Sequence, residues 1–440
     1  GVAVLSNSGV PVSLTDRTVK AASAFDTATT GLLRLRAESA NGREAVEKTF
    51  DLTVVGDGAS ARRPGNTKLY ALGDSRTLDN YRSGYETMVG TVAWAYHRSK
   101  GRISYGRNSN NGVGGATSAE IRANQYPAAK ASDAKILVLW AGVNSANTNA
   151  SAASVIDDIR FMASDFCASA ADRVCIVYDE VPVSGLQNPA THVAVRNGIR
   201  ALHAPLDGIN VLRTWDLIAT VPDGDTPVAW AYRDGIHPGK RFANLVGKAL
   251  WTLLDTMVPA FNVFVQAGIL QAPDVDTDFT KPATTGVAYS TETVDGVKWL
   301  VVTISAVTSL NLTVYQTGST LPSGITTADF ADAIAAYKLE PGSVNLSMVR
   351  QELRRQGGQA VADTTGANAY SGADMGTTSE AASGEIGPDG VDGLLHPPPA
   401  SLGAPTAATA LRSWWFTIKG LPSQPCSAVV KFALPQLRKA

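Results

Sequence analysis

The sequence predicts an α/β protein: a three-layer α/β/α domain around a five-stranded parallel sheet, flanked by β segments on both sides. Three observations predict it. Five short strand-like runs between residues 68 and 212 alternate with helix-period segments, the pattern of a parallel sheet covered on both faces. Two of them, Ile136-Leu-Val-Leu-Trp and Val174-Cys-Ile-Val-Tyr, are continuously apolar, as strands buried on both faces are. After residue 262 the alternation stops and strand-like segments take over.

In chain order, Gly31-Leu-Leu-Arg-Leu-Arg-Ala and Phe50-Asp-Leu-Thr-Val-Val alternate apolar and polar residues, as half-buried strands do. Joined across Asn41-Gly42, they resemble the closing hairpin of a bacterial immunoglobulin-like domain, in a region short for a complete one. Residues 59–65 read as a linker. The first strand of the α/β domain is Lys68-Leu-Tyr-Ala-Leu-Gly. A helix follows from Thr87 to Arg98, then a strand at Arg102-Ile-Ser-Tyr. The next helix, Thr117 to Lys130, is opened by a Thr/Ser cap with Glu120 three residues on. Helices are further expected at Ala153–Ala168, Thr191–His203 and Phe242–Met257, and the fifth strand at Ile209-Asn-Val-Leu. Beyond residue 262, the segments at Val297, Leu310, Trp414 and Ala428 read as strands. Thr327–Tyr337 and Val344–Arg355 read as helices, and the Gly/Ala/Ser/Thr/Pro-rich stretch 362–410 as long loops. The expected organisation is a partial β segment and linker at 1–64, the α/β domain at 65–262, and a β-sandwich of jelly-roll kind at 263–440.

Composition narrows the function classes. At 440 residues the chain exceeds one ordinary domain, and 44% hydrophobic residues suffice for real cores. With 18% charged residues, a net charge of −1 and no long charge run, nothing favours a nucleic-acid or membrane-surface partner. No apolar stretch is bilayer-sized. No leader is visible, and the opening residues read like the middle of a domain, so a fragment of a longer chain is expected. The three cysteines show no metal-ligand spacing. Cys167 and Cys175 flank a helix-to-strand turn, which leaves open a local disulfide or two ordinary buried thiols.

Four short segments carry candidate chemistry. Ser75, in Ala71-Leu-Gly-Asp-Ser-Arg, follows the first strand, where parallel sheets bind ligands. A serine needs a base within hydrogen-bond reach to act as a nucleophile, and Gly-Asp-Ser alone reads better as a turn capping the next helix. In Tyr232-Arg-Asp-Gly-Ile-His-Pro-Gly, one tight turn can present Asp234 and His237 to one spot, so that the carboxylate fixes the imidazole tautomer. Alone, the same residues read equally well as a helix N-terminus. Asn111-Gly-Val-Gly-Gly-Ala-Thr and Gly142-Val-Asn-Ser supply the donor types of an oxyanion hole, a backbone N–H at Gly115 and a side-chain amide at Asn144. Of the other histidines, His97, His192 and His203 read as helix spectators and His396 as a loop residue. Trp140, Trp230 and Tyr232 adjoin the motifs and could line a sugar platform, though packing is the better reading for Trp140, which closes a buried strand.

Together and in this order, the four segments resemble the blocks of the SGNH (GDSL-type) hydrolase superfamily: Gly73-Asp-Ser75, Gly115, Gly142-Val-Asn144 and Asp234-Gly-Ile-His237. The resemblance covers about residues 66–260. One departure stands out: Ser145 takes the place of the family's usual Asp. The resemblance implies a flavodoxin-like sheet and a cofactor-free, metal-free serine esterase. Ser75 would be the nucleophile, His237 the base and Asp234 its partner, with an oxyanion hole from Ser75, Gly115 and Asn144. The absence of Gly-x-Ser-x-Gly argues against the other common α/β esterase fold. The fold does not name the substrate. The β-rich flank favours an acetylated polysaccharide, and the immunoglobulin-like lead-in suggests a phage-tail or extracellular protein, oligomeric in a tail assembly. The rivals are a general short-acyl or lipid esterase and a non-catalytic adhesion protein on a hydrolase fold.

Overall fold

The structure is a computed structural model. It describes residues 62–80, 90–221, 223–260, 274–316, 335–351, 385–395 and 415–435, with only the backbone of Arg107 and of the remaining strands. The chain forms two compact units, Gly1–Arg63 with Ala204–Gly208, and Pro64–His203 with Ile209–Ala440. In the first, Thr29–Glu38 pairs antiparallel with both Val2–Asn7 and Ala45–Val54, and Val12–Thr15 pairs with Thr18–Ala21. The hairpin read around Asn41-Gly42 is therefore present, while its turn lies outside the described residues.

In the second unit, strands β1 (Leu69–Gly73), β2 (Asn110–Gly112), β3 (Ile136–Trp140), β4 (Val174–Tyr178) and β5 (Ile209–Leu212) form one parallel sheet in the order β2-β1-β3-β4-β5. Period-two alternation sends Leu69, Ala71, Ile136 and Val138 into one core and Tyr70, Leu72, Leu137 and Leu139 into another. The first core is covered by Val92, Ala93 and Tyr96 of α2 (Thr91–Arg98) and by Phe242, Val246, Leu250 and Leu254 of α5 (Lys240–Asp255). The second is covered by Val155, Ile159, Met162 and Phe166 of α3 (Ala152–Ala168) and by Val195 and Ile199 of α4 (Pro189–Arg200). These i, i+3/i+4 stripes are what helices need to bury one face. The result is the expected three-layer domain.

One strand moved. The ladder strand next to β1 is Asn110–Gly112, whereas Arg102-Ile-Ser-Tyr makes only an isolated bridge from Ser104 to Lys68. The short edge strand has no apolar run to announce it. The Thr117–Lys130 helix is broken into Ser118–Glu120, a π turn at Ile121–Gln125 and Tyr126–Ala131, but its capping box is present: Thr117 N–H donates to Glu120 Oε2 at 2.8 Å.

The C-terminal region folds into two antiparallel sheets around one core containing Leu300, Val302, Val314, Phe416, Ile418 and Phe432. Both segments read as helices are strands. Phe330–Leu339 pairs with Pro425–Lys439, and Leu346–Arg355 pairs with Leu411–Gly420. Ala335, Tyr337 and Leu339 point alternately into the core, so sheet packing overrides the alanine-rich local preference. Of stretch 362–410, Val391–Leu395 is a strand, as are short pieces at Tyr370–Gly372 and Ala400–Ser401. Most of the rest lies outside the described residues.

This sandwich packs on the α/β layer. Trp94 of α2 and Ala243 of α5 belong to its core. Lys240 Nζ donates to Ser347 O at 2.7 Å, Arg98 Nη2 to Gly390 O at 2.9 Å, and Asn244 Nδ2 to Ile386 O at 3.3 Å. Among the described residues no helix is long and apolar enough to cross a membrane. Cys167, Cys175 and Cys426 are buried and form no disulfide, so the first two are thiols here.

Candidate active site

The strand order reverses between β1 and β3, and in open α/β sheets ligands bind beyond the carboxyl ends of strands at such a point. Ser75 opens α1 (Ser75–Leu78) immediately after β1. A side chain at Gly73 would place its Cβ 2.2 Å from Trp140 O, so only glycine lets β1 run this close to the end of β3. Asp74 caps the short helix, accepting from Arg76 N–H at 3.0 Å.

Asp234 and His237 sit in a turn whose Gly235 has φ +92°, a conformation other residues rarely adopt. The turn carries both side chains to Ser75. His237 Nε2 lies 2.9 Å from Ser75 Oγ, and His237 Nδ1 lies 2.7 Å from Asp234 Oδ2. Asp234 Oδ1 also accepts the backbone N–H groups of His237 at 2.8 Å and Ile236 at 3.2 Å. Burial opposes ionisation of Asp234, but the two amides and the imidazole outweigh it and hold the carboxyl below its ordinary value. A carboxylate bound to Nδ1–H leaves Nε2 facing the hydroxyl as an acceptor.

The other two blocks follow the carboxyl ends of β2 and β3 and meet each other. Gly115 is exposed, with open space where a Cβ would stand. Asn144 Nδ2 donates to Ala116 O at 3.0 Å, which ties the third block to the second. An amide nitrogen carries two hydrogens, so one remains for a ligand. Ser145, in place of the resembled family's Asp, is buried. Its Oγ accepts Ser118 N–H at 2.8 Å and lies 3.2 Å from Ser118 Oγ, which donates to Asp158 at 2.9 Å. The loop therefore has an acceptor at 145 and a carboxylate one hydroxyl further out.

Sequence reading missed a buried ion network behind Ser75. Arg76 is fully buried and its guanidinium bridges two carboxylates. Nη2 lies 2.7 Å from Asp74 Oδ2, Nη1 lies 2.6 Å from Glu180 Oε2, and the plane lies 4.3 Å from the Trp140 ring. Glu180 adopts φ +74°, and its Oε2 is 3.2 Å from His192 Nε2. Burial would depress the Arg76 pKa, but the two carboxylates raise it. Burial would likewise raise that of Glu180, but Arg76 and His192 bring it down to about 2. His192, read as a spectator, belongs to this network. Only Asp74 and Arg76, two positions apart on either side of Ser75, hinted at it in the sequence.

Of the three aromatics, Trp140 is buried in the core between Tyr178 and Phe242. Tyr232 donates its hydroxyl to Pro182 O, and Trp230 lies under Arg241 at 4.2 Å. Among the described residues no cluster of three or more His, Cys, Asp or Glu could hold a metal ion.

No protein-family model matches the chain, and no curated protein matches it. Solved structures do. A member of the lipolytic protein G-D-S-L family from Veillonella parvula DSM 2008 is 16% identical, with a TM-score of 0.33, covering 43% of this chain and 98% of that one. A carbohydrate esterase family 3 protein from Talaromyces cellulolyticus is 18% identical, with a TM-score of 0.31, covering 43% and 97%. LAE5, an alpha/beta hydrolase enzyme from the metagenome of Lake Arreo, Spain, is 14% identical, with a TM-score of 0.36, covering 44% and 97%. These solved proteins are what the chain is similar to; its own four blocks, Gly73-Asp-Ser75, Gly115, Gly142-Val-Asn144 and Asp234-Gly-Ile-His237, stand on a five-stranded parallel α/β sheet.

Proposed function

We propose that this protein is a serine esterase of SGNH type, with Ser75 as nucleophile, His237 as general base and acid, and Asp234 as the group that orients and charges the imidazole. The observation that carries this reading is the Asp234–His237–Ser75 relay at 2.7 and 2.9 Å, at the switch point of the sheet. His237 Nε2 takes the Ser75 proton as Oγ attacks the ester carbonyl carbon. The tetrahedral oxyanion is held by the N–H groups of Ser75 and Gly115 and the free amide hydrogen of Asn144. His237 then gives its proton to the leaving alcohol, and the C–O bond to it breaks. Water, deprotonated by the same imidazole, releases the acid from Ser75.

The substrate we propose is an O-acetylated polysaccharide. The His237 side chain is 28% exposed and that of Asp234 49%, so the relay lies near the surface. The second block offers Gly114 and Gly115, both exposed and without side chains. Such a site suits a small acyl group on a bulky carrier better than a long chain needing a deep channel. Wild type and Ser75→Ala are to be compared on p-nitrophenyl acetate and butyrate at about pH 8, where an ordinary imidazole is neutral. Acetate release from acetylated polysaccharides is then measured. The expected outcome is a loss of about 10³-fold or more in Ser75→Ala, acetate preferred over butyrate, and release from at least one glycan. Equal activity of the two proteins contradicts the esterase reading. Equal rates on both esters with no glycan deacetylated contradict the substrate.

A further inference from the structure

Ser75 and His237 stand 162 positions apart, on a strand–helix turn and on a surface loop. A hydroxyl–imidazole hydrogen bond is too weak to hold two such segments together, since its net worth is that of one bond exchanged with water. A second contact joins the same two segments. Asp79 is the C-cap of α1, and its backbone N–H donates to Ser75 O at 3.3 Å. Its carboxylate meets Arg233 Nη2 at 2.9 Å through Oδ2 and 3.2 Å through Oδ1. Both side chains are buried, 5% and 8% exposed. Arg233 directly precedes Asp234. Its backbone N–H donates to His237 O at 3.0 Å, closing the turn, and its Nε lies 3.9 Å from Asp234 Oδ2.

We infer that Asp79 and Arg233 are positioning residues that clamp the turn bearing Asp234 and His237 to the helix bearing Ser75. One end of the clamp is the residue that closes the Ser75 helix. The other is the residue whose backbone closes the acid–base turn. Burial excludes water that would otherwise compete for the guanidinium, whose Nη2 meets both oxygens of the carboxylate in a charge-assisted contact. Arg233 also brings a positive charge to within 3.9 Å of Asp234 Oδ2, the oxygen that faces the imidazole. Neither residue touches the reacting atoms. Their effect passes through the placement of the turn, and so through the Ser75–His237 distance, to which proton transfer is steeply sensitive.

The inference rests on the esterase reading for its kinetic arm, so the test has a second arm that needs no turnover. Arg233→Gln, Asp79→Asn, Arg233→Lys and the double variant Asp79→Asn/Arg233→Gln are compared with wild type. The first readout is ester hydrolysis. The second is the hydrogen-bonded imidazole N–H proton of His237 in NMR, assigned by its loss in His237→Asn. Thermal melts confirm which variants are folded, and the double variant leaves no charge of the pair unpaired. Each single neutral variant is expected to lose about 10- to 100-fold in kcat with KM changed less than about threefold. The double variant should lose no more than either single one, because both remove the same contact. Arg233→Lys should recover part of the rate, and the imidazole proton should weaken in step with kcat. The clamp is overturned if folded variants keep kcat and the proton signal of wild type, or if the single losses multiply in the double variant. If wild type hydrolyses no ester, the esterase reading fails on its own, and persistence or loss of the imidazole proton still decides the clamp.

Discussion

Ser145 is the residue at which this chain departs from the family it resembles, and its contacts say what the departure costs. Its hydroxyl accepts the Ser118 backbone N–H, so Ser145→Ala leaves a buried donor without a partner. That variant should lose about 1–3 kcal/mol of stability in chemical denaturation. Ser145→Asp should not repair anything, because Asp158 already supplies a carboxylate through Ser118, and a second one would repel it. Asn144 acts on the reaction instead. Its replacement by Ala should lower kcat by about 10²–10³-fold. Unchanged kcat would remove Asn144 from the oxyanion site. The residues of the Asp234–His237–Ser75 contacts were legible because each lies in a short local pattern. Arg76–Glu180 and Asp79–Arg233 were not, because they pair residues 104 and 154 positions apart, and nothing local marks which charge meets which.

At the scale of elements, the turns after β1 and β4 share one ion network, and its charge state follows from the Glu180 shift. The folded pKa, about 2, lies below the ordinary 4.5, so this carboxylate stabilises the fold above about pH 4.5. That contribution, on the order of 3 kcal/mol at most, is lost as pH falls through the window from about 4.5 towards about 2. Glu180→Gln should therefore be less stable at neutral pH and should flatten the acid limb of the stability profile over that window. An unaltered acid limb would mean the pair is not charged as drawn. The strands of the sheet were legible where both faces are buried, as in Ile136–Trp140, since burial demands an unbroken apolar run. The edge strand Asn110–Gly112 was not, because three polar and glycine residues at an edge owe their pairing to β1 alone. The strands Phe330–Leu339 and Leu346–Arg355 were read as helices because composition there favours helix, while their partners in Pro425–Lys439 and Leu411–Gly420 lie about 57–108 residues downstream.

For the molecule as a whole, the C-terminal sandwich is a structural partner of the α/β layer. Trp94 and Ala243 lie in its core, and α5, which starts three residues after His237, lends Lys240 and Asn244 to its backbone carbonyls. A chain ending at residue 262 would expose Trp94 and strand the buried ammonium of Lys240. Such a chain should melt well below the full protein or aggregate, with loss of ester hydrolysis. A truncated chain of undiminished Tm and rate would make the sandwich an independent appendage. The sequence could not show this sharing, because Trp94 reads as an ordinary helix residue until its neighbours are known.

The central claim is that Ser75 is a nucleophile activated by His237. The most direct measurement is labelling of the native protein with a fluorophosphonate, followed by mass analysis of the modified peptide. One adduct on Ser75 is predicted in wild type, strongly slowed in His237→Asn, whose side chain cannot take the proton from Oγ. An adduct on another residue, or labelling of Ser75 at the same rate without His237, would contradict it.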